Sequence, residues 1–351
     1  MIASYKLFLP YVFHVVKPEE LAPYHTNMVR YEVIFYPPFK AKIENITFQG
    51  KPTVAHSLLP ADPQEVTDDL KVFGNDTLEA NLLKIDFKAP EFDRRRGHER
   101  EDPPIDLVFS TANRWLGVLR TVLQSPNVRP VEASEWFWRL DYLTDAGEEL
   151  PSSVEFFKMM SGRRFDKRVN ILDKAQWELA VKSTVEADIP IYVPLMLDAD
   201  AALPDIGTAI TLASTALETL IESHLRRLAT AKCAPPELWT WITNRDFHLK
   251  EPSTAEQFDT LLKMFSGKSL KDQPQLWTAF KNLNQARNGF VHGGRAEIGD
   301  SSVTIDVAMK LVESTKEIIK WMEQLAPEGD RWWFDPPAFE IAFAAPPIPV
   351  R

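Results

Sequence analysis

Apolar residues in the first 90 positions recur in short runs that proline, asparagine and glycine interrupt. The runs are rich in aromatic and β-branched side chains, which suit the pleated surface of a sheet. They are YKLFLPYVFHVV (5–16), MVRYEVIFY (28–36), KIENITFQG (42–50) and LLKIDFKAP (82–90). This pattern predicts a series of β-strands.

The pattern changes after residue 104, where apolar positions recur every three or four residues, as on one face of a helix. These positions are Ile105, Val108, Ala112, Trp115, Leu119 and Val122. EWFWRLDYL (135–143) then predicts another strand, and a less regular helical spacing covers residues 169–187. We therefore predict one mixed α+β domain over residues 1–190. Its role as a sensor, regulator or substrate selector is a hypothesis from the two-domain architecture alone.

Three prolines between Pro190 and Pro204 predict the domain boundary. The helical spacing beyond it predicts long helices at about 205–231, 273–292 and 302–325, with shorter ones near 235–244 and 255–266. Short links between long antiparallel helices are typical of a helical bundle, here over residues 197–326. The fold class is thus an α+β domain followed by an all-α bundle.

The last segment, residues 327–351, is an aromatic and proline-rich tail. Within it FEIAF (339–343) alternates between apolar and polar residues, which is typical of a strand. We expect the tail to pack on a sheet of the N-terminal domain.

Composition narrows the class of protein. The single cysteine, Cys233, excludes an internal disulfide and a cysteine-cluster zinc site, and no apolar run reaches the ~20 residues that span a bilayer. The start of the chain lacks the features of a signal peptide, so we expect a soluble, cytoplasmic protein. The net charge of −10 disfavours a broad electrostatic interaction with nucleic acid, although residues 204–326 are nearly neutral, with 14 Lys+Arg against 15 Asp+Glu.

One residue interrupts the apolar stripe of the helix at 273–292. The stripe contains Leu276, Phe280, Leu283, Phe290 and Val291, and at 100° per residue position 287 falls in its middle. That residue is arginine. Two interpretations are open: Arg287 pairs with a carboxylate and only holds the bundle together, or its guanidinium binds a phosphate.

His292 lies five residues after Arg287 and therefore about 140° around the helix. Two arrangements would bring the two residues together: a last helical turn loosened at Gly289, or a dimer axis that juxtaposes two copies of the surface. A histidine in the last turn also has a purely structural interpretation, because it interacts favourably with the helix dipole.

The segment QARNGFVHGG (285–294) resembles the Arg-X4-6-His motif of the HEPN superfamily, at its shortest spacing and with the usual polar residue, Asn288, after the arginine. TALETLIESHL (215–225) resembles the first long helix of the ApeA-like branch of that superfamily. The resemblance covers about residues 197–326 and does not extend to the N-terminal domain.

The resemblance implies a metal-independent endoribonuclease of the toxin or phage-defence type, without a cofactor. It implies that Arg287, Asn288 and His292 are catalytic and that two subunits face each other in a homodimer. Cleavage of RNA by its own 2′-OH needs a base, and histidine titrates near neutral pH, while arginine stabilises charge on the phosphoryl oxygens. Glu218 is a supporting candidate as a partner of Arg287, or an exposed carboxylate.

Two other functions stay open on the sequence alone. The first is a non-catalytic HEPN module that binds a nucleotide or a partner and dimerises, with a structural Arg287. The second is an adaptor in which both domains only form interfaces, including one between the N-terminal domain and a regulatory partner.

Overall fold

The chain divides into two compact units, Met1–Ala187 with Pro336–Arg351, and Asp188–Asp335. The computed structural model describes residues 2–48, 51–60, 70–72, 75–88, 103–133, 138–156, 166–183, 188–231, 235, 252–326, 331–332 and 341–343. The first unit is built around a largely antiparallel sheet, and the second is mainly helical.

Within the described residues, the sheet of the first unit has nine strands: β1 (Ile2–Val16), β2 (Tyr24–Met28), β3 (Tyr31–Phe35), β6 (Leu70–Val72), β7 (Asn75–Lys88), β8 (Trp138–Leu143), β9 (Glu149–Phe156), β10 (Asp166–Leu172) and β13 (Ile341–Phe343). The path through the sheet runs β13-β6-β7-β1-β8-β9. β10 lies beside β1, β3 lies beside β7, and β2 pairs with β3. A separate hairpin consists of β4 (Ala41–Phe48) and β5 (Lys51–Pro60). The strands predicted at 5–16, 42–50, 82–90 and 135–143 are therefore confirmed over their described residues. The run 28–36 instead holds the end of β2, a turn at 29–30 and β3.

Helix α1 (Ile105–Val122) supplies the apolar cover of the first unit. Its predicted stripe is confirmed at Val108, Ala112, Trp115, Leu119 and Val122, which are all buried, while Ile105 in the first turn is only half-buried. The Trp115 ring lies 5.1 Å from the ring of Phe35 on β3 and 5.3 Å from that of Trp177. Trp177 belongs to α2 (Lys174–Ser183), so one tryptophan joins the sheet and both helices.

The helix predicted over 169–187 is partly wrong. Residues Asp166–Leu172 form β10, which pairs in parallel with the second half of β1 and brings Asn170 opposite Phe13. Asn170 also donates a hydrogen bond to the Val12 carbonyl oxygen at 2.8 Å. Pairing with a buried central strand outweighs the weak helical spacing there, and the helix begins only at Lys174.

The second unit contains five helices along its described residues. These are α3 (Tyr192–Ala202), α4 (Ile206–Ala231), α5, α6 (Pro274–Gly293) and α7 (Ile305–Glu323). Helix α5 is one continuous element made of Thr254–Glu256, a π-helical turn Gln257–Leu261, and Leu262–Ser266. A small hairpin, β11 (Glu297–Ile298) with β12 (Ser301–Ser302), joins α6 to α7, so the unit is not all-α.

The three long helices lie where the sequence predicts them. One face of α7, formed by Ala308, Leu311, Thr315, Ile318 and Met322, is buried throughout. The helix predicted near 235–244 lies outside the described residues, except for residue 235.

The predicted boundary at Pro190–Pro204 differs from the structure, which contains α3 there. Pro194 occupies the first turn of that helix, where its missing N–H costs nothing. Tyr192, Val193, Met196 and Leu197 are buried in the core of the helical unit, so α3 is part of that unit and the division falls before Asp188.

The predicted strand in the tail is confirmed over three residues. β13 pairs antiparallel with β6, with Ile341 opposite Val72 and Phe343 opposite Leu70. The tail thus returns to the sheet of the first unit, as its alternation predicts. Trp333 and Phe334 lie outside the described residues.

Candidate functional site

The candidate site lies at the C-terminal end of α6. The helix begins at Pro274, whose missing N–H suits a first helical position, and ends at Gly294, which has a left-handed φ of 71°. The Gly294 N–H donates to the Phe290 carbonyl oxygen at 2.8 Å. Because α6 stays helical to Gly293, Gly289 does not loosen its last turn.

Gly289 has another role, which is to let the β11–β12 hairpin approach the helix. A Cβ atom added at Gly289 would lie 2.9 Å from the carbonyl oxygen of Arg295. No side chain larger than hydrogen fits there without a shift of backbone. Gly289 therefore fixes the hairpin beside the last two turns of α6.

Helix α6 packs antiparallel to α4. Gly207 at the start of α4 lies against the ring of Phe290, and the Ser214 hydroxyl lies 3.4 Å from the Asn284 carboxamide oxygen. From the first contact to the second, the residue number rises by seven on α4, from 207 to 214, and falls by six on α6, from 290 to 284. This register brings Arg287 opposite residues 210–211 of α4.

Arg287 lies in the apolar face of α6, as the sequence predicts. It follows the buried Phe280 and Leu283 on that face, and it is itself half-buried. Its Nε is buried and has no hydrogen-bond partner among the described residues, while its Nη1 donates to Asn288 Oδ1 at 3.2 Å. The guanidinium therefore keeps most of its donors available.

Asn288 and His292 are exposed and lie one helical turn apart on the same face of α6. Arg287 is about 140° away from His292 around this regular helix. Asn288 bridges part of that angle through its contact with Arg287. Within one protomer the structure therefore brings Asn288 beside each of the other two residues, but it does not bring Arg287 and His292 together.

Glu218 is not placed as a partner of Arg287. No ion pair within 4.0 Å joins the two, although both belong to the described residues. The register of α4 against α6 separates Glu218 from residues 210–211 by seven or eight residues, or roughly 10–12 Å along the helix axis. Glu218 is half-buried on α4.

A polar groove of about 510 Å³ lies beside Asn288, and we call it the α6 groove. It is lined by Ala255, Phe280, Lys281, Asn284, Gln285, Asn288, Gly289, Glu297 and Gly299. Three carboxamides, one ammonium and one carboxylate give it both donors and acceptors. The groove follows the face of α6 that carries Asn288 and, one turn further on, His292.

The sequence did not reveal a second polar group in the helical unit, which we call the buried polar cluster: Tyr192, His224, Arg227 and Glu323. The Tyr192 hydroxyl donates to Glu323 Oε1, and the backbone N–H of Trp332 donates to Glu323 Oε2 at 2.9 Å. His224 Nε2 lies 3.6 Å from Glu323 Oε1, and Arg227 Nη2 lies 3.0 Å from His224 Nδ1. His224 and Glu323 are each only 2% exposed.

Burial, with the positive charge of Arg227, lowers the pKa of His224 to about 4. Hydrogen bonds from the ring to the backbone carbonyl oxygens of Leu220 and Met322 favour the charged imidazolium, but desolvation outweighs them. Burial and the Glu323 carboxylate raise the pKa of Tyr192 far above its usual value. The one sequence signal for this cluster is Glu323 itself, which falls one turn after the buried Ile319 on the apolar side of α7.

No family model, no curated protein and no solved structure matches this chain. Among the described residues, no three histidine, cysteine, aspartate or glutamate side chains group as metal ligands would. None of the helices found within those residues combines the length and apolarity needed to cross a membrane.

Proposed function

We propose that the second unit is an endoribonuclease that cleaves RNA at a composite site built from Arg287, Asn288 and His292 of two copies of the chain. The observation that carries the proposal is Arg287. It is a guanidinium set into an apolar helix face, with a buried Nε that has no partner among the described residues. A phosphate would satisfy it, because the guanidinium fork matches two phosphate oxygens.

The three side chains supply what cleavage by an internal 2′-OH requires. His292 takes the 2′-OH proton, and the 2′ oxygen attacks the adjacent phosphorus. Arg287 and Asn288 hydrogen-bond the phosphoryl oxygens as negative charge develops on them. The bond from phosphorus to the 5′ oxygen then breaks, and that oxygen takes up a proton from solvent. The products are a 2′,3′-cyclic phosphate and a 5′-hydroxyl, and no step requires a metal ion.

A second copy is needed because Arg287 and His292 point in different directions within one protomer. The surface around Arg287 suits an interface between copies, since Val291, one turn beyond it, is 50% exposed. Ile305 and Met309, one turn apart at the start of α7, are 36% and 54% exposed. A two-fold axis through this surface brings His292 of one copy towards Arg287 of the other.

The α6 groove supports RNA as the substrate. Single-stranded RNA is recognised through the edges of its unpaired bases, and carboxamides offer the paired donor and acceptor that such edges require. The groove begins at Asn288, so a base bound there is the neighbour of the scissile phosphate. Such local recognition does not depend on a broadly basic surface, which the net charge of −10 disfavours.

The first test is incubation of the purified full chain with single-stranded RNA in the presence of EDTA. We expect cleavage that leaves 2′,3′-cyclic phosphate ends, which acid converts to 2′- and 3′-phosphates. Substrates with a single ribonucleotide in a DNA strand locate the cut at the residue that carries the 2′-OH. Loss of activity in EDTA, restored by magnesium, would contradict the mechanism.

A mixing experiment tests whether the site is composite. Arg287→Lys and His292→Ala each remove activity on their own. In a mixed dimer one site keeps the arginine of the His292→Ala copy and the histidine of the Arg287→Lys copy. We therefore expect the mixture to recover about a quarter of the wild-type rate, since half of the dimers are mixed and each has one intact site. A site formed within one protomer would give no recovery.

A second candidate function is a non-catalytic dimerisation module that binds a nucleotide or a protein partner. The separation of Arg287 from His292 within a protomer favours it, because neither residue needs the other for a structural role. Wild-type protein that is dimeric, binds RNA and leaves it intact would support this function over cleavage.

A further inference from the structure

The sheet of the first unit carries two rows of polar residues across three neighbouring strands. Residues two apart on a strand face the same side, so both rows lie on one face of the sheet. In the strand order β7, β1, β8 the rows are Asp86, Ser4 and Asp141, and then Lys84, Lys6 and Arg139. Charged side chains in the middle of a sheet are costly unless something compensates them.

Four of these six residues are buried, and Lys84 and Arg139 are partly exposed. Ser4 and Asp86 are 1% exposed, Asp141 is 3% exposed and Lys6 is 7% exposed. Lys6 Nζ donates to Asp141 Oδ2 at 2.8 Å, and Arg139 Nε donates to Asp141 Oδ1 at 2.6 Å. One buried carboxylate is therefore shared between two cations.

The other contact of Lys6 is weak. Its ammonium lies 3.8 Å from Glu149 Oε1, beyond hydrogen-bond distance, and the Glu149 side chain is 59% exposed. Lys84 Nζ lies 3.3 Å from Asp86 Oδ2 and 4.0 Å from the centre of the Tyr36 ring. Both lysines thus have capacity for a further anionic partner.

Ser4 supplies an independent observation. Its hydroxyl is buried and has no hydrogen-bond partner among the described residues. A buried hydroxyl without a partner is costly, so a Ser4 hydroxyl that lines a cavity is a donor available to a bound ligand.

Ser4, Lys6 and Lys84 line a cavity of about 530 Å³, which we call the N-terminal pocket. The other lining residues include four prolines, three leucines, Phe39 and Glu149. Most of them are apolar, and the polar groups converge on one side. A cavity of this size with a few placed polar groups is typical of a small-molecule site.

We propose that the N-terminal pocket binds a small organic anion. Its carboxylate or phosphate group contacts the ammonium groups of Lys6 and Lys84 and the hydroxyl of Ser4, and displaces the Glu149 carboxylate from Lys6. Its flat or apolar body lies against the prolines, leucines and Phe39. This site belongs wholly to the first unit, so the proposal does not depend on the function of the helical unit.

Two sources of this chemistry are a nucleoside monophosphate and an aliphatic carboxylate, and paired probes distinguish them. AMP is compared with adenosine, which keeps the body and lacks the anion, and octanoate is compared with octanol. Inorganic phosphate tests the charged group without a body. We expect titration calorimetry on the full chain to show that at least one anion binds about tenfold or more tightly than its neutral counterpart, as the loss of a charge-assisted contact predicts.

Three variants identify the pocket as the site. Lys84→Gln should weaken binding by about tenfold and Ser4→Ala by roughly three- to tenfold, the usual effect of a charged and a neutral hydrogen bond. Glu149→Gln should tighten binding by several-fold, because it removes the carboxylate that competes for Lys6. Only a competing role for Glu149 predicts an increase in affinity.

Two matched controls lie close by. Lys88, the next cation along β7, is 46% exposed and pairs with Glu32, and Glu148 precedes Glu149 in an exposed position; neither lines the pocket. Lys88→Gln and Glu148→Gln should leave binding unchanged. The proposal is overturned if no anion in the panel binds more tightly than its neutral counterpart at millimolar concentration. It is equally overturned if Glu149→Gln and Glu148→Gln have the same effect on a bound anion.

Discussion

The helical unit contains two groups of polar residues that share an arginine and a histidine but differ in burial and in hydrogen bonding. Arg287, Asn288 and His292 lie along one edge of α6, where Asn288 and His292 are exposed and Arg287 is half-buried. The one contact among them is that between Arg287 and Asn288. The buried polar cluster also combines an arginine and a histidine, but its Glu323 accepts hydrogen bonds from both Tyr192 and Trp332. The edge keeps hydrogen-bond donors of Arg287 without partners among the described residues, whereas the donors of the cluster find an acceptor in Glu323.

Because of this difference, removal of each group should affect a different property of the protein, either its activity or its stability. A group that must bind a substrate keeps its donors available, and it depends on other parts of the molecule to hold it in place. A buried cluster is satisfied from within, so its removal affects folding first. The edge should therefore report on activity with little change in stability, and the cluster should report on stability.

The largest expected effect is on the rate of RNA cleavage by His292→Ala. Loss of a general base lowers a rate by about 10²–10⁴-fold, while loss of an exposed imidazole from a helix end costs about 1 kcal/mol or less in unfolding free energy. Cleavage assays and thermal melts of the same preparation measure both. His25→Ala, which removes an exposed histidine from the first unit, is the control. A folded His292→Ala protein with the wild-type rate would show that the edge is not catalytic.

Glu323→Ala should have the opposite profile. It leaves the Tyr192 hydroxyl and the Trp332 N–H without their acceptor, and removal of one member of a buried charged group costs about 3–5 kcal/mol. Denaturant unfolding measures this loss. Glu222→Ala provides a matched control, because Glu222 pairs with Arg226 at 2.7 Å where both side chains are more than half exposed. That control should cost less than about 1 kcal/mol. Equal losses for the two variants would mean that the cluster does not stabilise the unit.

The cluster should also make stability depend on pH. His224 has a pKa of about 4 in the folded protein, and an unfolded histidine has one near 6.5. Between these values the unfolded chain binds a proton that the folded protein does not, so stability falls as pH falls below about 6.5. The loss reaches about 2 kcal/mol at pH 5.

The measurement is the change in unfolding free energy between pH 7 and pH 5 for wild type and for His224→Gln. The variant lacks the titrating group, so its change should be smaller by the contribution of His224. Parallel pH profiles for the two proteins would show that His224 is not the group responsible.

In the helical unit, the sequence predicts the long helices and Arg287 but not the buried polar cluster. The spacing of apolar residues predicts α4, α6 and α7 to within about three residues, because one face of each is buried and period and burial agree. Arg287 is visible for the same reason, as a cation within such a stripe. The buried polar cluster is not visible, since Tyr192, His224 and Glu323 come from three helices and only packing brings them together.

In the first unit, by contrast, the sequence does not predict the candidate binding site. Ser4, Lys6, Lys84 and Asp86 alternate with apolar residues, and such an alternation is usual for a strand with one solvated face. The alternation does not set Ser4 opposite Asp86 rather than two residues away, because a shift of two residues keeps every side chain on the same face. The choice between these registers depends on bulges and turns distant in the chain. The pocket above these rows therefore could be recognised only in the structure.

The last prediction concerns the contact between Gly207 on α4 and Phe290 on α6, on which the position of Arg287 depends. Gly207→Ala inserts a Cβ that would lie 2.0 Å from the Phe290 ring, so the ring must move, at a cost of about 1–3 kcal/mol for overpacking. Gly293→Ala is the matched control, because it also replaces a helical glycine but its Cβ meets nothing within 4 Å. That control should be neutral or stabilising by up to about 1 kcal/mol. In a Phe290→Ala background the cost of Gly207→Ala should nearly disappear, since the clashing ring is gone. If Gly207→Ala costs the same in both backgrounds, the contact between Gly207 and Phe290 does not fix the register of α6 against α4, and the position of Arg287 must depend on other contacts.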